Sequence, residues 1–505
     1  MRAAARPTSP SAQSLISPSK ATLTDGIAEA ERATIRAGRP WTTIAALVFL
    51  TILAALLRLP FLDHQSLWWD ETFTGGIVRQ SGIGDVWRQI QATESTPPLY
   101  YVLVWLSGAR SAAAMRLIPA LALVLAVPAS YKMARQCASR DIALATAAVV
   151  ATSPDLVSYS TDARSYGLFV LTAILSAWAF LVLLRGYGHL RGTAWVLASA
   201  ACVWTHYFGI FIVGAELAVL LVVCARRRQA ILGWAAVLAV SLLPLIPLVS
   251  SQSGDERAQF IAGISLPSRL TTTVRQFAMG PNVPRAWLEA AGLLTFCAAV
   301  AVGTAIVMRQ RQRMPLVLLA VAAVGFLTPL GLGLVGIEDR FYARNVVAVL
   351  PLVAFLAAPA LVRARGVPLV AYCLLAVVTS IWVASNWRYE QVDWRSAVAR
   401  MQAVDPSAAI VASTPVGAPV VQTYLHRSPV TNLSGPVSRA WIAIEPTRTS
   451  GERALSPRPG FNLPGFSAVR TLQVHAFRLT LVRAIRPTRL ALPTGFDGAV
   501  FPGGT

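Results

Sequence analysis

Carboxylates, arginines and aromatic residues gather in four short stretches of the sequence, each beside a long apolar run. The stretches are Leu67–Glu71, Glu94–Tyr101, Tyr159–Tyr166 and Glu338–Arg344. A carboxylate at a water boundary can take the proton from an attacking hydroxyl group. Arginine binds phosphate through charge-assisted hydrogen bonds, and aromatic side chains suit both membrane interfaces and sugar faces. These residue types indicate transfer of a group from a lipid-linked phosphate.

Each candidate residue also has an ordinary structural explanation, and the sequence leaves it open. Acidic residues solvate loops and cap helix ends, histidine forms interfacial hydrogen bonds, and arginine extends to lipid headgroups. Taken alone, these explanations apply to Asp70, Glu71, Asp162, Arg164, His206, Arg340 and Arg344. Glu216 lies inside an apolar run, where we expect it to hydrogen-bond between helices.

The apolar runs determine the fold class. Of the 505 residues, 55% are hydrophobic and only 13% are charged, whereas an ordinary soluble domain has roughly 25% charged residues. A membrane span needs about 20 mostly apolar residues. Eleven runs qualify, at 41–59, 112–131, 142–158, 166–184, 193–207, 209–225, 230–249, 287–308, 314–335, 343–362 and 367–384. The sequence predicts an all-α polytopic membrane protein with about 11 transmembrane helices. The composition excludes disorder of the chain as a whole and argues against a large soluble enzyme.

The placement of basic residues predicts the orientation in a cell membrane. With the N-terminus in the cytoplasm, the loops between spans on the inner side hold 13 basic residues and one acidic residue, and those on the outer side hold 9 basic and 10 acidic residues. Basic residues favour the cytoplasmic side. The net charge of +21 is therefore explained by topology, and we expect no nucleic-acid partner. All four chemical stretches are predicted to lie outside. The five cysteines lie in or beside apolar runs without CxxC spacing, so no disulfide framework and no zinc site is expected.

Three segments fall outside the spans. Residues 1–40 are predicted to be a disordered cytoplasmic tail, and residues 60–111, inside the transmembrane domain 41–384, form the first extracytoplasmic loop. Within that loop, Leu99–Leu106 is too short to span and is expected to lie along the surface. Residues 385–505 form an extracytoplasmic α/β region, helical from Asn386 to about Val404. Its strand-like runs are Ala409–Ala412, Trp441–Ile444 and Thr471–Leu481.

Taken in order, the motifs resemble those of C-type membrane glycosyltransferases. The most similar branch is glycosyltransferase family 39, which holds protein O-mannosyltransferases and lipid A aminoarabinose transferases. The matching elements are Asp70-Glu71, Glu94–Tyr101, Arg116–Pro119, Tyr159–Tyr166, Arg340–Tyr342 and Leu350-Pro351. Thr96 stands where histidine is common in the branch, which argues against carrying over a metal site from relatives that have one. The resemblance covers about residues 45–400.

The resemblance implies a donor, a reaction and a role for each site residue. Asp70 is the expected catalytic base or acceptor-orienting carboxylate, with Glu71 beside it in the catalytic pair. The donor-phosphate role falls to some of Arg116, Arg164, Arg340 and Arg344. Acceptor-binding or supporting roles fall to Glu94, Asp162, Tyr166 and His206. The donor is a polyprenyl-phosphate sugar, with mannose as the candidate, and transfer inverts the anomeric centre in one displacement.

Two other classes of function stay open at this point. A transporter or flippase for lipid-linked sugars is disfavoured because ionisable residues are scarce within the spans. A non-catalytic partner of a related transferase is the second alternative. The acceptor could be protein, lipid or cell-wall glycan, and the sequence indicates no cofactor and leaves dependence on a divalent metal open.

Overall fold

The computed structural model describes residues 40–253, 259–337, 339–413, 418–430, 433, 435–447, 454–458, 460, 462–490, 492 and 498–503. The tail predicted over 1–40 therefore lies outside the described residues except for Pro40. The helices are α1 Pro40–Leu56, α2 Trp69–Val78, α3 Ile83–Thr93, α4 Leu99–Leu106, α5 Ala112–Ala134, α6 Arg140–Thr152, α7 Pro154–Ser160, α8 Tyr166–Arg185, α9 His189–Thr205, α10 Gly209–Val223, α11 Arg228–Leu242, α12 Ile246–Ser253, α13 Gln259–Ala262, α14 Leu266–Met279, α15 Ala286–Gln310, α16 Arg313–Leu334, α17 Ala343–Val346, α18 Leu350–Leu361, α19 Val367–Ala384, α20 Trp394–Val404 and α21 Ala418–Leu425. The strands are β1 Ala409–Ser413, β2 Val437–Ile444, β3 Phe466–Val474, β4 Phe477–Thr488 and β5 Ala499–Phe501.

The membrane part is helical, as the sequence predicts. In the described part of the chain, eight helices are long and apolar enough to cross a membrane, and the bent pair α6–α7 makes up to nine. The two remaining predicted spans form α9 and α10, which have 17 and 15 residues. Both are shorter than the roughly 20 residues that a span requires, so the predicted number of about 11 counts two short helices as full spans.

A proline explains the bend between α6 and α7, which measures 51°. Pro154 stands at the first position of α7, where it cannot continue the hydrogen-bond ladder of α6. Ser153 lies between the helices, and its hydroxyl accepts a hydrogen bond from the backbone N–H of Leu156. The chain therefore changes direction just before the stretch Tyr159–Tyr166.

Helices α2, α3 and α4 of the first loop pack around a small apolar core that also includes Met115 of α5 and Leu248 of α12. Ile77, Val86, Ile90, Tyr100 and Val104 are all fully buried in it. The segment expected to lie along the surface is α4, which buries Tyr100, Tyr101 and Val104 on one side. This core holds the loop as a folded unit.

The C-terminal region is a mixed five-stranded sheet with strand order β3-β4-β2-β1-β5. Strands β1 and β2 pair in parallel, and the other pairs are antiparallel. Helices α20 and α21 cover one face, where Trp394, Met401 and Trp441 are buried together. The small α/β region is therefore confirmed. The run Thr471–Leu481 is not one strand, because the chain turns at His475 and forms the β3–β4 hairpin.

The C-terminal region contacts the first loop through hydrogen bonds. The backbone N–H of Leu67 donates to the Tyr424 hydroxyl over 2.8 Å. Arg395 donates to the backbone oxygens of Asp63 and His64 over 2.9 and 3.0 Å. The loop that carries Asp70 is therefore supported by α20 and α21.

Candidate active site

Asp70 lies in the first turn of α2, which follows the extended residue Trp68. Negative side chains are favoured there by the exposed N–H groups and the helix dipole. Asp70 is 9% exposed. Its Oδ2 atom accepts a hydrogen bond from Nη1 of Arg344 over 3.1 Å. The site therefore begins with a nearly buried carboxylate held beside one arginine.

Glu71, the neighbour of Asp70, forms a different and fully buried contact. Arg116 Nε and Nη2 donate to its two carboxylate oxygens over 2.7 and 2.5 Å, and both side chains are 0% exposed. Glu71 also accepts the backbone N–H groups of Trp68 and Ala163. Arg116 donates its other hydrogens to the backbone oxygens of residues 62, 65 and 66. This pair ties the loop to α5 and leaves Arg116 without a free donor.

Arg164 joins Asp70 to a second buried carboxylate. Its guanidinium donates to the backbone oxygen of Asp70 over 3.0 Å and pairs with Glu94 over 2.7 Å. The Tyr101 hydroxyl donates to Glu94 over 2.7 Å and lies 2.9 Å from the Thr96 hydroxyl. Burial raises the pKa of Glu94, and the charge of Arg164 opposes that rise. Arg164 therefore holds the backbone of Asp70 in place through this hydrogen bond. The guanidinium stays charged because it is paired with Glu94.

The Asp162 side chain lies beside Trp68, the residue before α2. Its Oδ1 atom accepts a hydrogen bond from Trp68 Nε1 over 3.1 Å. Burial and the nearby charge of Glu71 raise the pKa of Asp162 to about 7. The Asp162 carboxyl thus fixes the residue that precedes α2.

A cavity of about 610 Å³ lies beside Asp70, and both polar and apolar side chains line it. The polar end is lined by Asp70, Arg164, Tyr166, His206, Arg340, Arg344 and Asn345. The apolar arm, contributed by α10 to α12 and the turn between α11 and α12, is lined by Ile210, Phe211, Leu242, Leu245, Ile246 and Val249. Ile210, Ile246 and Val249 are exposed at the protein surface. The arm is therefore open to the surroundings along one side.

His206 contributes a neutral ring to the polar end. Its ring stacks on Phe169 with centroids 4.6 Å apart, and its Nδ1 atom accepts the backbone N–H of Phe208 over 3.2 Å. Burial, together with the charges of Arg344 and Arg164, lowers the pKa of His206 to about 3. Because Nδ1 accepts, the proton of the neutral ring belongs on Nε2.

The structure divides the predicted site residues into three groups. Asp70, Arg164, Tyr166, His206, Arg340 and Arg344 line one cavity. Glu94 and Asp162 lie behind that lining, and Glu71 and Arg116 form a buried pair away from it. The sequence reasoning missed Asn345 and the apolar arm. Asn345 directly follows Arg344, and its Nδ2 donates to the backbone oxygen of Arg340 over 2.8 Å.

Within the described residues, no three His, Cys, Asp or Glu side chains lie close enough together to hold a metal ion. Asp70 and Glu71 are neighbours in sequence, but their carboxylates bind different arginines.

No protein-family model matches the chain, and no curated protein matches it in sequence. Solved structures do match. ArnT from Cupriavidus metallidurans, bound to undecaprenyl phosphate, has a TM-score of 0.54 and 14% identity, over 87% of this chain and 98% of that chain. The Archaeoglobus fulgidus oligosaccharyltransferase in complex with Zn and sulfate has a TM-score of 0.50 and 14% identity, over 79% of this chain and 67% of that one. Its apo form has a TM-score of 0.51 and 13% identity, over 77% and 64%. The chain therefore spans about two thirds of the oligosaccharyltransferase, and it is structurally similar to C-type membrane glycosyltransferases.

Proposed function

We propose that the chain is an integral membrane glycosyltransferase that moves a sugar from a polyprenyl-phosphate donor to a hydroxyl acceptor. The observation that carries the proposal is the cavity, whose lining combines a carboxylate and arginines with the apolar side chains of α10 to α12. A polyprenyl-phosphate sugar has the same division, because a polar anionic headgroup is joined to a long apolar chain. The fold similarity to ArnT, which was solved with undecaprenyl phosphate, supports a donor of this class.

The four predicted phosphate-binding arginines take different roles in this proposal. Arg340 and Arg344 bind the donor phosphate, since both line the polar end of the cavity. Arg164 adds positive charge but keeps its contacts with Glu94 and the Asp70 backbone. Arg116 acts only by positioning, because its donors are taken by Glu71 and backbone oxygens.

The proposed reaction is a single displacement at the anomeric carbon. The Asp70 carboxylate takes the proton from the acceptor hydroxyl, whose oxygen forms the new bond to that carbon. The bond between the carbon and the phosphate oxygen breaks, and its electron pair leaves with the polyprenyl phosphate. Arg344 and Arg340 stabilise the added negative charge on the phosphate. The attack comes from the opposite side, so the anomeric configuration inverts.

The remaining site residues are proposed to orient the reactants. Tyr166 and His206 line the polar end, where a ring hydroxyl of the sugar or the acceptor would lie. Glu94 and Asp162 hold Arg164 and Trp68 in place. Glu71 fixes the start of α2 through the Trp68 N–H group, and so sets the direction of Asp70.

Finer features of the proposal rest on the sequence motifs and the charge pattern. They are membership of the family 39 branch, mannose as the sugar, and a cytoplasmic N-terminus with the active site and residues 385–505 outside the cell membrane. The acceptor is protein, lipid or cell-wall glycan.

The experiment uses the full chain reconstituted in liposomes with radiolabelled polyprenyl-phosphate mannose and an acceptor fraction from the cell envelope. The proposal expects labelled acceptor with the wild-type chain and a much lower rate with Asp70→Asn. Movement of intact donor across the bilayer without labelled acceptor would instead identify a transporter. Labelling that requires a second, related transferase and is insensitive to Asp70→Asn would identify a non-catalytic partner.

A further inference from the structure

One end of the C-terminal sheet carries arginines that the proposed reaction does not use. Between residues 454 and 496 the sequence contains six arginines and no aspartate or glutamate. Arg470 on β3 and Arg483 on β4 belong to this stretch, and Arg439 lies on the adjacent strand β2. All three side chains are exposed.

The strand register brings these three arginines onto the same face of the sheet. Arg439 lies directly opposite Arg483, and Arg470 lies directly opposite Leu481. Residues directly opposite each other share a face, as do residues two apart in one strand, such as Leu481 and Arg483. Neighbouring strands are about 4.8 Å apart, so Arg439, Arg470 and Arg483, here named the arginine face, extend over about 10 Å.

This arrangement is electrostatically unfavourable in the isolated chain. Like charges placed directly opposite in a sheet destabilise it. Asp405 compensates Arg439, with its Oδ2 atom 2.8 Å from Nη1. No acidic side chain in the described residues pairs with Arg470 or Arg483. The arginine face thus carries uncompensated positive charge that an anionic partner would balance.

The arginine face lies further along the strands than the turn that contacts the residues after the span α19. The β3–β4 turn points toward the membrane part, because His475 in this turn lies 2.7 Å from Asp393 and stacks on Trp387, which closely follows the span α19. Arg483 lies eight residues further along β4, or about 26 Å at roughly 3.3 Å per residue. Measured along the strand, that length is about three times the Debye length of about 8 Å at physiological ionic strength, which favours a partner in the aqueous phase over the lipid bilayer.

We propose that the arginine face binds a polyanionic glycan, a polymer that carries repeated carboxylate or phosphate groups. The two uncompensated arginines stand on neighbouring strands beside Arg439, and this spread of charge matches repeated anionic groups better than one small anion. This binding requires no sugar transfer, so the inference stands independently of the transferase proposal.

The test measures binding of polygalacturonate, a polyuronate, to the full chain in phosphatidylcholine nanodiscs, with dextran as the neutral control. The Arg470→Gln/Arg483→Gln double variant removes the two uncompensated charges. Exposed ion pairs contribute about 0.2–1 kcal/mol each, so binding should weaken about two- to thirty-fold. Arg478→Gln is the matched control, because Arg478 is exposed on the same strand with its side chain on the other face, and it should weaken binding less than about two-fold. Addition of salt should remove the difference between the wild type and the double variant.

Three results would overturn the proposal. The first is no binding of polygalacturonate by the wild type at low salt. The second is equal weakening by Arg478→Gln and by the double variant. The third is that the double variant loses binding to phosphatidylglycerol vesicles but keeps its binding to polygalacturonate. That result would assign the arginines to the membrane. Failure of sugar transfer with glycan binding intact would refute only the transferase proposal.

Discussion

Replacing Asp70 by asparagine is the most direct test of the proposed chemistry. Asparagine keeps the size of the side chain and an oxygen that can accept the hydrogen bond from Arg344, which is 3.1 Å away in the wild type. It loses the negative charge and the basicity. A positioned general base contributes about 10²–10⁴-fold to a rate, which corresponds to about 3–5 kcal/mol in the activation free energy. We expect kcat to fall by that factor.

Donor affinity should respond differently from kcat. In the Asp70→Asn variant the charge of Arg344 is no longer balanced by a carboxylate, so the donor phosphate should bind as well as before or more tightly. Initial rates measured against the concentration of radiolabelled donor separate the two quantities. The matched control is Asp63→Asn, which makes the same substitution in the same loop, at a carboxylate that is 70% exposed and pairs with Arg395. Its kcat should stay within about two-fold of the wild type, as is usual for a surface ion pair.

Two results would refute this reasoning. Wild-type turnover in Asp70→Asn would exclude Asp70 as the base and make Glu94, Asp162 and Glu71 the next residues to test. A fall in kcat of the same size in Asp63→Asn would show that the loop, and not the Asp70 carboxylate, is what the substitution disturbs.

Four further predictions concern binding, folding, pH and orientation. Arg344→Ala should weaken donor binding about ten- to over a hundred-fold, since a charged hydrogen bond contributes about 1.5–3 kcal/mol; an unchanged donor KM would assign Arg344 to lipid headgroups. Glu71→Gln should destabilise the fold by about 3–5 kcal/mol, because it leaves a buried arginine without its partner; a wild-type yield of monodisperse detergent-extracted protein would contradict this. Burial raises the pKa of Asp162 to about 7, so its charged form destabilises the fold increasingly as the pH rises from about 4 to 7. Asp162→Asn should therefore raise the midpoint of thermal unfolding more at pH 8 than at pH 5. An equal rise at both pH values would contradict the raised pKa of Asp162. A reporter enzyme that is active only outside the cell should work when fused after Ser385 and fail after Arg228, and the reverse pattern would invert the proposed orientation.

The sequence located the stretches of the site but could not assign roles to adjacent residues within them. Asp70 and Glu71 are consecutive in a helix, so their side chains point about 100° apart. One of them therefore faces the cavity and the other faces Arg116, which is 45 residues away in sequence. Only the packing of α5 against the first loop determines which carboxylate faces the cavity and which one binds Arg116.

The apolar arm of the cavity could not be predicted for a different reason. Leu242, Leu245 and Ile246 read as an ordinary span, because residues that face lipid and residues that line a lipid groove have the same composition. The short α12 and the cavity beside it depend on how α10 and α11 pack. The spacing of apolar residues carries no information about that packing.

The β3–β4 hairpin was missed because its turn lacks the usual residues. Hairpin turns with positive φ favour glycine or asparagine, whereas here His475 adopts a φ of 48°. His475 is held by Asp393 and Trp387. A contact with another part of the chain therefore fixes this turn, and the sequence of the hairpin alone reads as one continuous strand.

The support of Asp70 extends across the boundary at residue 385 that the sequence suggests. Trp69 lines the cavity and also packs against the core formed by α20, α21 and the sheet. The Tyr424 hydroxyl accepts the N–H of Leu67, three residues before Asp70. Because Leu67 is nearly buried, loss of this hydrogen bond would leave an unsatisfied donor, which costs about 1–3 kcal/mol. The C-terminal region is therefore not a separate appendage, since the position of the loop that carries Asp70 depends on it.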